Sequence, residues 1–374
     1  MEFYLRTDDA HKVIRLLGVT AKVNTLEFDG QIVIKAAGDT VTFISNNGNA
    51  GTSCKVPAEI EKEGQATVLF TGLRTFIMNF SAWDGELGAK KFHFISEGPK
   101  LTINTSNIHE NQRKTKSKLT LDTLKGSSFI VEVPVESPNV ILNSSLVKTA
   151  IEKGLYAVDK NSIADYVRGL RLVIADGTIR FTSTNGKVIS DFAVKGENGS
   201  NNGEYFLSHE FLTGLRRLLS EDTQLFFELT RNKAIVSFDN CVYWAKSLIY
   251  KDYPQYLSVF ELYDKTVEVD RAMLLSGLSS FVDVWNTDDY NRVTIELTDG
   301  KLSLKTDKSL FEYPGFQDAP EFSLDVNGKD MLDTLNALSD DSLNIKCLDE
   351  KHGMIFESAG LEDHKSYLVH LTRR

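Results

Sequence analysis

Long apolar runs are missing from this 374-residue chain. None approaches the ~20 apolar residues that a membrane-spanning helix needs. The opening stretch MEFYLRTDDAHK carries no basic start followed by an apolar segment, so no secretory leader is expected and the cytoplasm is the expected location. Cysteine is scarce. Cys54, Cys241 and Cys347 lie far apart, form no CxxC pair, and read as buried thiols on strands. The seven histidines are scattered, none four residues from another on a helix with an acidic partner, so no zinc helix is expected. There is no Gly-rich phosphate loop, no GxSxG and no HExxH, which removes the commonest signatures of nucleotide and hydrolytic chemistry. Bulk positive charge is missing too. A net charge of −10 argues against coating DNA by overall attraction, but it leaves room for cations gathered on one surface.

What is present is an ordinary globular composition, 41% hydrophobic and 25% charged, long enough for two or three domains. It also contains one pattern written three times. Val33–Ser45, Leu172–Ser183 and Val293–Lys305 each alternate apolar and polar residues around a turn, at Gly38-Asp39, Asp176-Gly177 and Asp299-Gly300. Asp-Gly is favoured where both central residues take positive φ. The alternation predicts antiparallel sheet with one buried face. A short helix is expected before each hairpin, over 8–18, 143–155 and 270–282, with Asp8 or Thr7, Asn143 or Ser144, and Asp270 as caps. A further strand, helix and strand pair follow each hairpin. The repeat period is about 120 to 130 residues, too long for a solenoid unit, so each copy is expected to be a domain. Strands outnumber helices and do not alternate with them one for one, which gives an α+β class with antiparallel sheets.

Four stretches carry a family resemblance: IADYVRGLRLVIADGTIRFTSTNGKV, AKSLIYKDYPQY, FSLDVNGKDMLDTLNAL and HKSYLVHLTRR. Their order and spacing, with three α+β copies in one chain, resemble the β sliding clamp of bacterial replicative DNA polymerase, with a diverged or virus-encoded member in view. The likeness covers nearly the whole chain and is closest in the second and third copies. It implies three clamp domains at 1–127, 128–257 and 258–374, with antiparallel sheets outside and helices lining a central pore. It also implies a ring-shaped homodimer that encircles double-stranded DNA without sequence preference. Such a ring has no catalysis, metal or cofactor, and it tethers the replicative polymerase, the clamp loader and other partners by short peptides. The weighed alternatives are a structural or virion repeat protein and a sugar-acting enzyme on an antiparallel scaffold.

The resemblance also assigns residues. Lys12, Arg15, Arg74, Lys148, Lys153, Arg216 and Arg217 on the polar faces of helices, with Lys22, Lys160 and Tyr166 in loops, are the expected DNA contacts. The partner groove is expected from Val167, Thr184, Gly186, Lys187, Val188, Ile189, Pro254, Val259, Leu368, His370, Leu371, Thr372 and Arg373. On this reading the first and third copies, having no groove, drift away from the Thr184-Asn185-Gly186-Lys187 corner. The dimer seam is expected to bring segment 116–124 against segment 281–286, with Lys116 and Lys118 meeting acidic residues such as Asp307 or Glu312, and Leu119, Leu121, Val284 and Trp285 as apolar filling. The basic run 113–118 could alternatively be a DNA-touching loop. Two departures stand out. The chain ends Leu371-Thr372-Arg373-Arg374 where the family is apolar, and Ser258 stands where many members have a groove arginine.

Overall fold

The structure, a computed structural model, describes all residues except 22–29, 80–90, 109–113, 125–136, 196–199, 220–221, 232, 248–252, 264, 285–290, 350–351, 360–362, 370 and 372–374. Contacts group the chain into two compact units, Met1–Ser145 with Glu210–Ser247 and Leu146–His209 with Leu248–Arg374.

In chain order the elements fall into three similar series. The first is β1 (Glu2–Arg6), α1 (Thr7–Leu17), β2 (Gln31–Ala37), β3 (Thr40–Asn46), β4 (Ala50–Pro57), β5 (Glu59–Lys62), β6 (Gly64–Leu69), α2 (Phe70–Asn79), β7 (Lys91–Glu97), β8 (Lys100–Ile108) and β9 (Lys114–Asp122). The second is β10 (Val140–Asn143), α3 (Ser144–Gly154), β11 (Gly169–Ala175), β12 (Thr178–Thr184), β13 (Val188–Lys195), β14 (Gly203–Ser208), α4 (His209–Leu218), β15 (Gln224–Leu229), β16 (Lys233–Phe238) and β17 (Cys241–Lys246). After the short α5 (Leu257–Glu261), the third runs β18 (Lys265–Asp270), α6 (Arg271–Ser279), β19 (Arg292–Thr298), β20 (Lys301–Lys305), β21 (Leu310–Pro314), β22 (Phe322–Asn327), α7 (Gly328–Ala337), β23 (Ser342–Cys347), β24 (Met354–Ser358) and β25 (Asp363–Leu368). The expected boundary at 127/128 lies outside the described residues, and that at 257/258 falls within α5.

Every described strand pairing is antiparallel, and each series builds two half-sheets by one rule. The first half-sheets are β6-β2-β3-β4, β14-β11-β12-β13 and β22-β19-β20-β21. The second are β1-β7-β8-β9, β10-β15-β16-β17 and β18-β23-β24-β25, with β5 added beside β1. Half-sheets of successive series then merge. In unit one β4 pairs with β17, and in unit two β13 pairs with β25. Two outer strands, β9 and β21, stay at sheet edges.

The hairpin turns follow their sequences. Asp176 and Gly177 take φ 50° and 72°, and Asp299 and Gly300 take 49° and 69°, the double-positive pair that Asp-Gly favours. In the first copy only Gly38 is positive, at 62°, which suits a glycine-first turn instead. The sequence missed the strands β1, β10 and β18 that lead into the first helices. Of the expected caps, Asp270 accepts the Met273 N–H at 2.7 Å. The residue preceding α1 is Arg6, with no side-chain cap, so neither Asp8 nor Thr7 serves there.

The cores fill from the inward faces of these strands. One cluster in unit two gathers Leu274, Leu278, Val293, Ile295, Val326, Leu335 and Phe356, all nearly fully buried. The three cysteines are free and buried as expected, and Cys54 and Cys241 face each other across β4 and β17 with sulfurs 3.2 Å apart. Among the described residues no helix is long and apolar enough to cross a membrane.

Unit two also buries polar groups. His364 on β25 is inaccessible, packs edge-on against Phe192 and lies 3.0 Å from Ser190 Oγ through Nε2. Ser190 donates its own proton to the Lys153 carbonyl at 2.6 Å, so its oxygen accepts from the ring and Nε2 carries the imidazole proton. Burial, reinforced by the nearby Lys153 ammonium, pushes the His364 pKa down to about 3. An unfolded histidine takes a proton near pH 6.5, so below that pH the unfolded chain binds more protons than the folded one. Stability should therefore fall with pH below 6.5 by roughly 1.4 kcal/mol per pH unit from this residue. Thermal melts from pH 7 to pH 4 check this. His364→Gln should show a shallower decline than the unsubstituted chain, and parallel curves would refute the assignment.

Candidate functional site

Of the expected groove residues, Thr184, Val188, Ile189 and Leu368 share the β12–β13–β25 ladder of unit two. Val188 lies opposite Leu368, and Ile189 lies between Thr184 on one side and Tyr367 on the other. Val167, Thr184, Val188 and Leu368 are buried. Gly186, Lys187 and Pro254 are exposed, and Ile189, Val259 and Leu371 are half-buried. His370, Thr372 and Arg373 lie outside the described residues.

The Thr184-Asn185-Gly186-Lys187 corner is a self-bonded turn. Thr184 Oγ1 donates to the Val188 carbonyl at 2.7 Å and accepts the Gly186 N–H at 3.1 Å. Asn185 Oδ1 accepts the N–H groups of Lys187 and Val188 at 2.9 and 2.8 Å, and Gly186 takes φ 85°. The expectation that the first copy drifted from this corner is corrected. Asn46-Asn47-Gly48-Asn49 makes the same turn, with Asn46 in place of the threonine, Asn47 bonding the next two N–H groups, and Gly48 at the same φ. Thr184, Asn185 and Gly186 are thus explained by turn geometry, and Lys187 is what sets the second copy apart. Its carbonyl accepts the Val369 N–H at 2.9 Å, which ties the C-terminal segment to the corner.

Beyond Val369, which is 41% exposed, the chain is tied again. The Leu371 N–H donates to the Asp325 carbonyl at 2.7 Å, and the Leu371 carbonyl accepts from Arg292 at 3.1 Å. The other segment of the site is an aromatic row. Tyr166 meets Tyr253 edge-on at 6.3 Å, Tyr253 meets Tyr256 at 6.0 Å, and Tyr256 meets Phe260 at 6.1 Å, with the Arg171 guanidinium over Tyr253 at 5.0 Å. Tyr166, expected to touch DNA, is half-buried in this row. Leu257 and Leu262, at either end of α5, are exposed apolar residues of the same stretch. Sequence reasoning missed them, although the apolar residues Leu257, Val259, Phe260 and Leu262 beside Tyr256 were the available signal.

Among the expected DNA contacts in unit one, Lys12 and Arg15 of α1, Arg74 of α2, and Arg216 and Arg217 of α4 are exposed. Lys12 pairs with Asp239 at 3.4 Å with both side chains about half exposed, an interaction of little energetic weight. In unit two Lys148 is half-buried and Lys160 is exposed. Lys22 lies outside the described residues.

Lys153 is a correction. It is 3% exposed, donates to Ser339 Oγ at 2.9 Å and sits over the Phe192 ring at 5.5 Å. The reason is local: the end of α3 is pressed onto β12 and β13, where Ser183 and Ser190 bond the Gly154 and Lys153 carbonyls. In α6 the Arg271 cation is committed to the carbonyls of Asp340 and Leu335. Among the described residues no cluster of three or more His, Cys, Asp or Glu side chains is placed to hold a metal. Lys153→Ala should lower stability by about 2 kcal/mol. Arg216→Ala and Arg217→Ala should change it by less than about 0.5 kcal/mol, as expected for exposed positions. Denaturant titration distinguishes the two classes.

No family model matches the chain. It is 22% identical over 243 residues to the β sliding clamp of Buchnera aphidicola subsp. Rhopalosiphum padi, which is 63% of this chain and 66% of that protein. It is 22% identical over 267 residues to the β sliding clamp of Pseudomonas putida KT2440, covering 68% and 71%. The matched part is therefore about two thirds of these curated relatives. Structural likeness runs over 100% of both chains for the DNA polymerase III subunit beta of Pseudomonas aeruginosa, with TM-score 0.85 at 16% identity, and for the DNA polymerase sliding clamp of Bacillus subtilis, with TM-score 0.86 at 14%. A Pseudomonas aeruginosa clamp bound to griselimycin matches at TM-score 0.84 and 17% identity, again over the full length. The chain therefore has the fold of the bacterial β sliding clamps from end to end.

Proposed function

We propose that this chain is a DNA sliding clamp, a non-catalytic cytoplasmic protein that closes as a homodimer around duplex DNA and holds the replicative polymerase and other partners through the groove beside Lys187. Beside the full-length fold, one observation carries the reading. The last strand of one series' first half-sheet pairs with the last strand of the next series' second half-sheet, as β4 with β17 and β13 with β25. Applied once more, the rule leaves β21 of one chain for β9 of another. Two such joints, one at each end, would make a closed head-to-tail dimer in which neither β9 nor β21 is left at a sheet edge.

The chemistry of the two edges agrees. β9 carries Lys118, with Leu119 and Leu121 half-buried, while β21 carries Glu312 and the exposed Leu310 and Tyr313. This keeps the expected Lys118 and Glu312 but moves the partner segment from 281–286 to β21, because the described part of that segment, 281–284, holds the 3-10 turn Val282–Val284 and no strand, while Trp285 lies outside the described residues. The basic run 113–118 is strand from Lys114 onward, which favours its edge role over a DNA-touching loop.

Encirclement suits an acidic protein with exposed helix cations. Topology supplies retention, so the cations need only screen phosphates without holding any one sequence. The groove would take apolar anchors of a partner peptide against Ile189, Val259 and Leu371, with Lys187 at its polar rim.

Light scattering should give twice the 41.8 kDa chain mass. The protein should stay on a closed DNA circle after loading and be lost when the circle is cut. A monomer, or retention indifferent to linearisation, would refute the ring. Lys116→Glu with Lys118→Glu should weaken the dimer about tenfold or more, measured by dilution in an analytical ultracentrifuge. Ile189→Asp should leave the dimer mass unchanged while abolishing stimulation of the cognate polymerase and binding of griselimycin.

A further inference from the structure

Two side-chain clusters in unit two are built alike. On β12 and β13, Asp191 is buried, lies directly across from Thr182, accepts that hydroxyl on Oδ1 at 3.0 Å and is paired through Oδ2 with Arg180. On β19 and β22, Asp325 is buried, lies directly across from Thr294, accepts that hydroxyl on Oδ1 at 2.6 Å and is paired through Oδ2 with Arg292 at 3.0 Å. An Arg-x-Thr spacing puts both side chains on one face of a strand, so both reach the same carboxylate on the neighbouring strand.

Duplication of the fold does not account for the likeness. The first cluster joins the second and third strands of its half-sheet series, the second joins the first and fourth. The first copy has neither: residues equivalent to Arg180, Thr182 and Asp191 are Thr42, Ile44 and Ser53. Sheet formation does not ask for them either, since a buried carboxylate is costly unless fully paired.

What the two clusters share is a further ligand from outside their own sheet strands. The Tyr256 hydroxyl donates to Asp191 Oδ1 at 2.9 Å and lies 2.7 Å from Thr182 Oγ1. In the other cluster Leu371 is held at both ends of its peptide unit, its N–H on the Asp325 carbonyl and its carbonyl on Arg292 Nη1. Tyr256 anchors the aromatic linker that carries Pro254 and leads into Val259. Leu371 anchors the C-terminal segment that leaves the Lys187 corner. These are the two segments that flank the β12–β13 corner in the proposed groove.

We propose that the two Arg-x-Thr and Asp clasps are positioning sites of the partner groove, Arg180, Thr182 and Asp191 setting the Tyr253–Tyr256 linker and Arg292, Thr294 and Asp325 setting the C-terminal segment. The inference rests on the groove reading above. A partner peptide that inserts apolar side chains needs both walls fixed beforehand, because each segment ordered on binding subtracts from affinity. Each clasp fixes one wall through a buried charge that the peptide never touches.

The test uses the full-length dimer and two readouts. Hydrogen exchange by mass spectrometry follows segment 366–374 and segment 253–263, and griselimycin is the binding probe. Arg292→Gln and Thr294→Val should speed exchange in the C-terminal segment about tenfold and leave the linker as it was. Arg180→Gln and Thr182→Val should do the reverse. All four should weaken griselimycin about tenfold or more without altering the dimer mass. Arg292→Lys and Arg180→Lys, which keep the charge on the buried carboxylate, should recover part of both effects.

Melting curves guard against global loss of structure, and the Thr→Val variants serve if the arginine variants fail to fold. Unchanged exchange in both segments would overturn the clasps. So would faster exchange with unchanged griselimycin affinity, because the walls would then be loose without consequence. Failure of the unsubstituted chain to bind griselimycin counts against the groove reading itself and is visible before any substitution is made.

Discussion

Strand edges govern this molecule. A sheet that stops leaves a row of N–H and C=O groups without partners, and such a row must be paired, covered or disfavoured. Each half-sheet has a last strand, β4, β9, β13, β17, β21 or β25, and the chain pairs four of these six with one another, β4 against β17 and β13 against β25. The joints make sheets of eight strands that run across series boundaries. The two last strands left over have opposite character, lysine-bearing on β9 and acid-bearing on β21, which is what the proposed pairing with a second copy uses.

Much of this was legible from residues in order. The hairpins announced themselves by alternation and by Asp-Gly or Gly-Asp turns, because the required backbone angles belong to few residue types. Helix α6 was bounded correctly at its start because Asp270 caps it directly. The strands β1, β10 and β18 were not seen, being four to six residues long and running straight into a helix start, so two periodicities overlap in a short window. Lys153 misled for a different reason. Helical spacing placed it on a polar face, and only the docking of the end of α3 on β12 and β13 covers it.

The site was legible in its parts and not in its wiring. Thr184, Asn185 and Gly186 stood out because they are turn formers, and the structure assigns them to turn formation. Asp191 with Tyr256 and Arg292 with Leu371 are separated by 65 and 79 positions, and no local pattern links them. Their meeting is a consequence of strand register, which decides which side chains face each other across a ladder. Buried ionic groups of this kind are weak evidence for stability, because a well-packed apolar replacement often does as well. On the proposal above, their use is to hold the two segments that flank the β12–β13 corner.

Strand β21 has five residues and ends in Pro314, which has no N–H to offer a neighbour. The joint between β13 and β25 spans six residue pairs inside one covalent chain, and proline is absent from both of its strands. The β4–β17 joint spans five pairs, so in a closed dimer the contact made by β21 would differ from both internal joints chiefly in having no backbone continuity to restrain it. In such a loop, parting at that border would break only non-covalent contacts, whereas parting at either internal joint would leave its strands tethered by the chain.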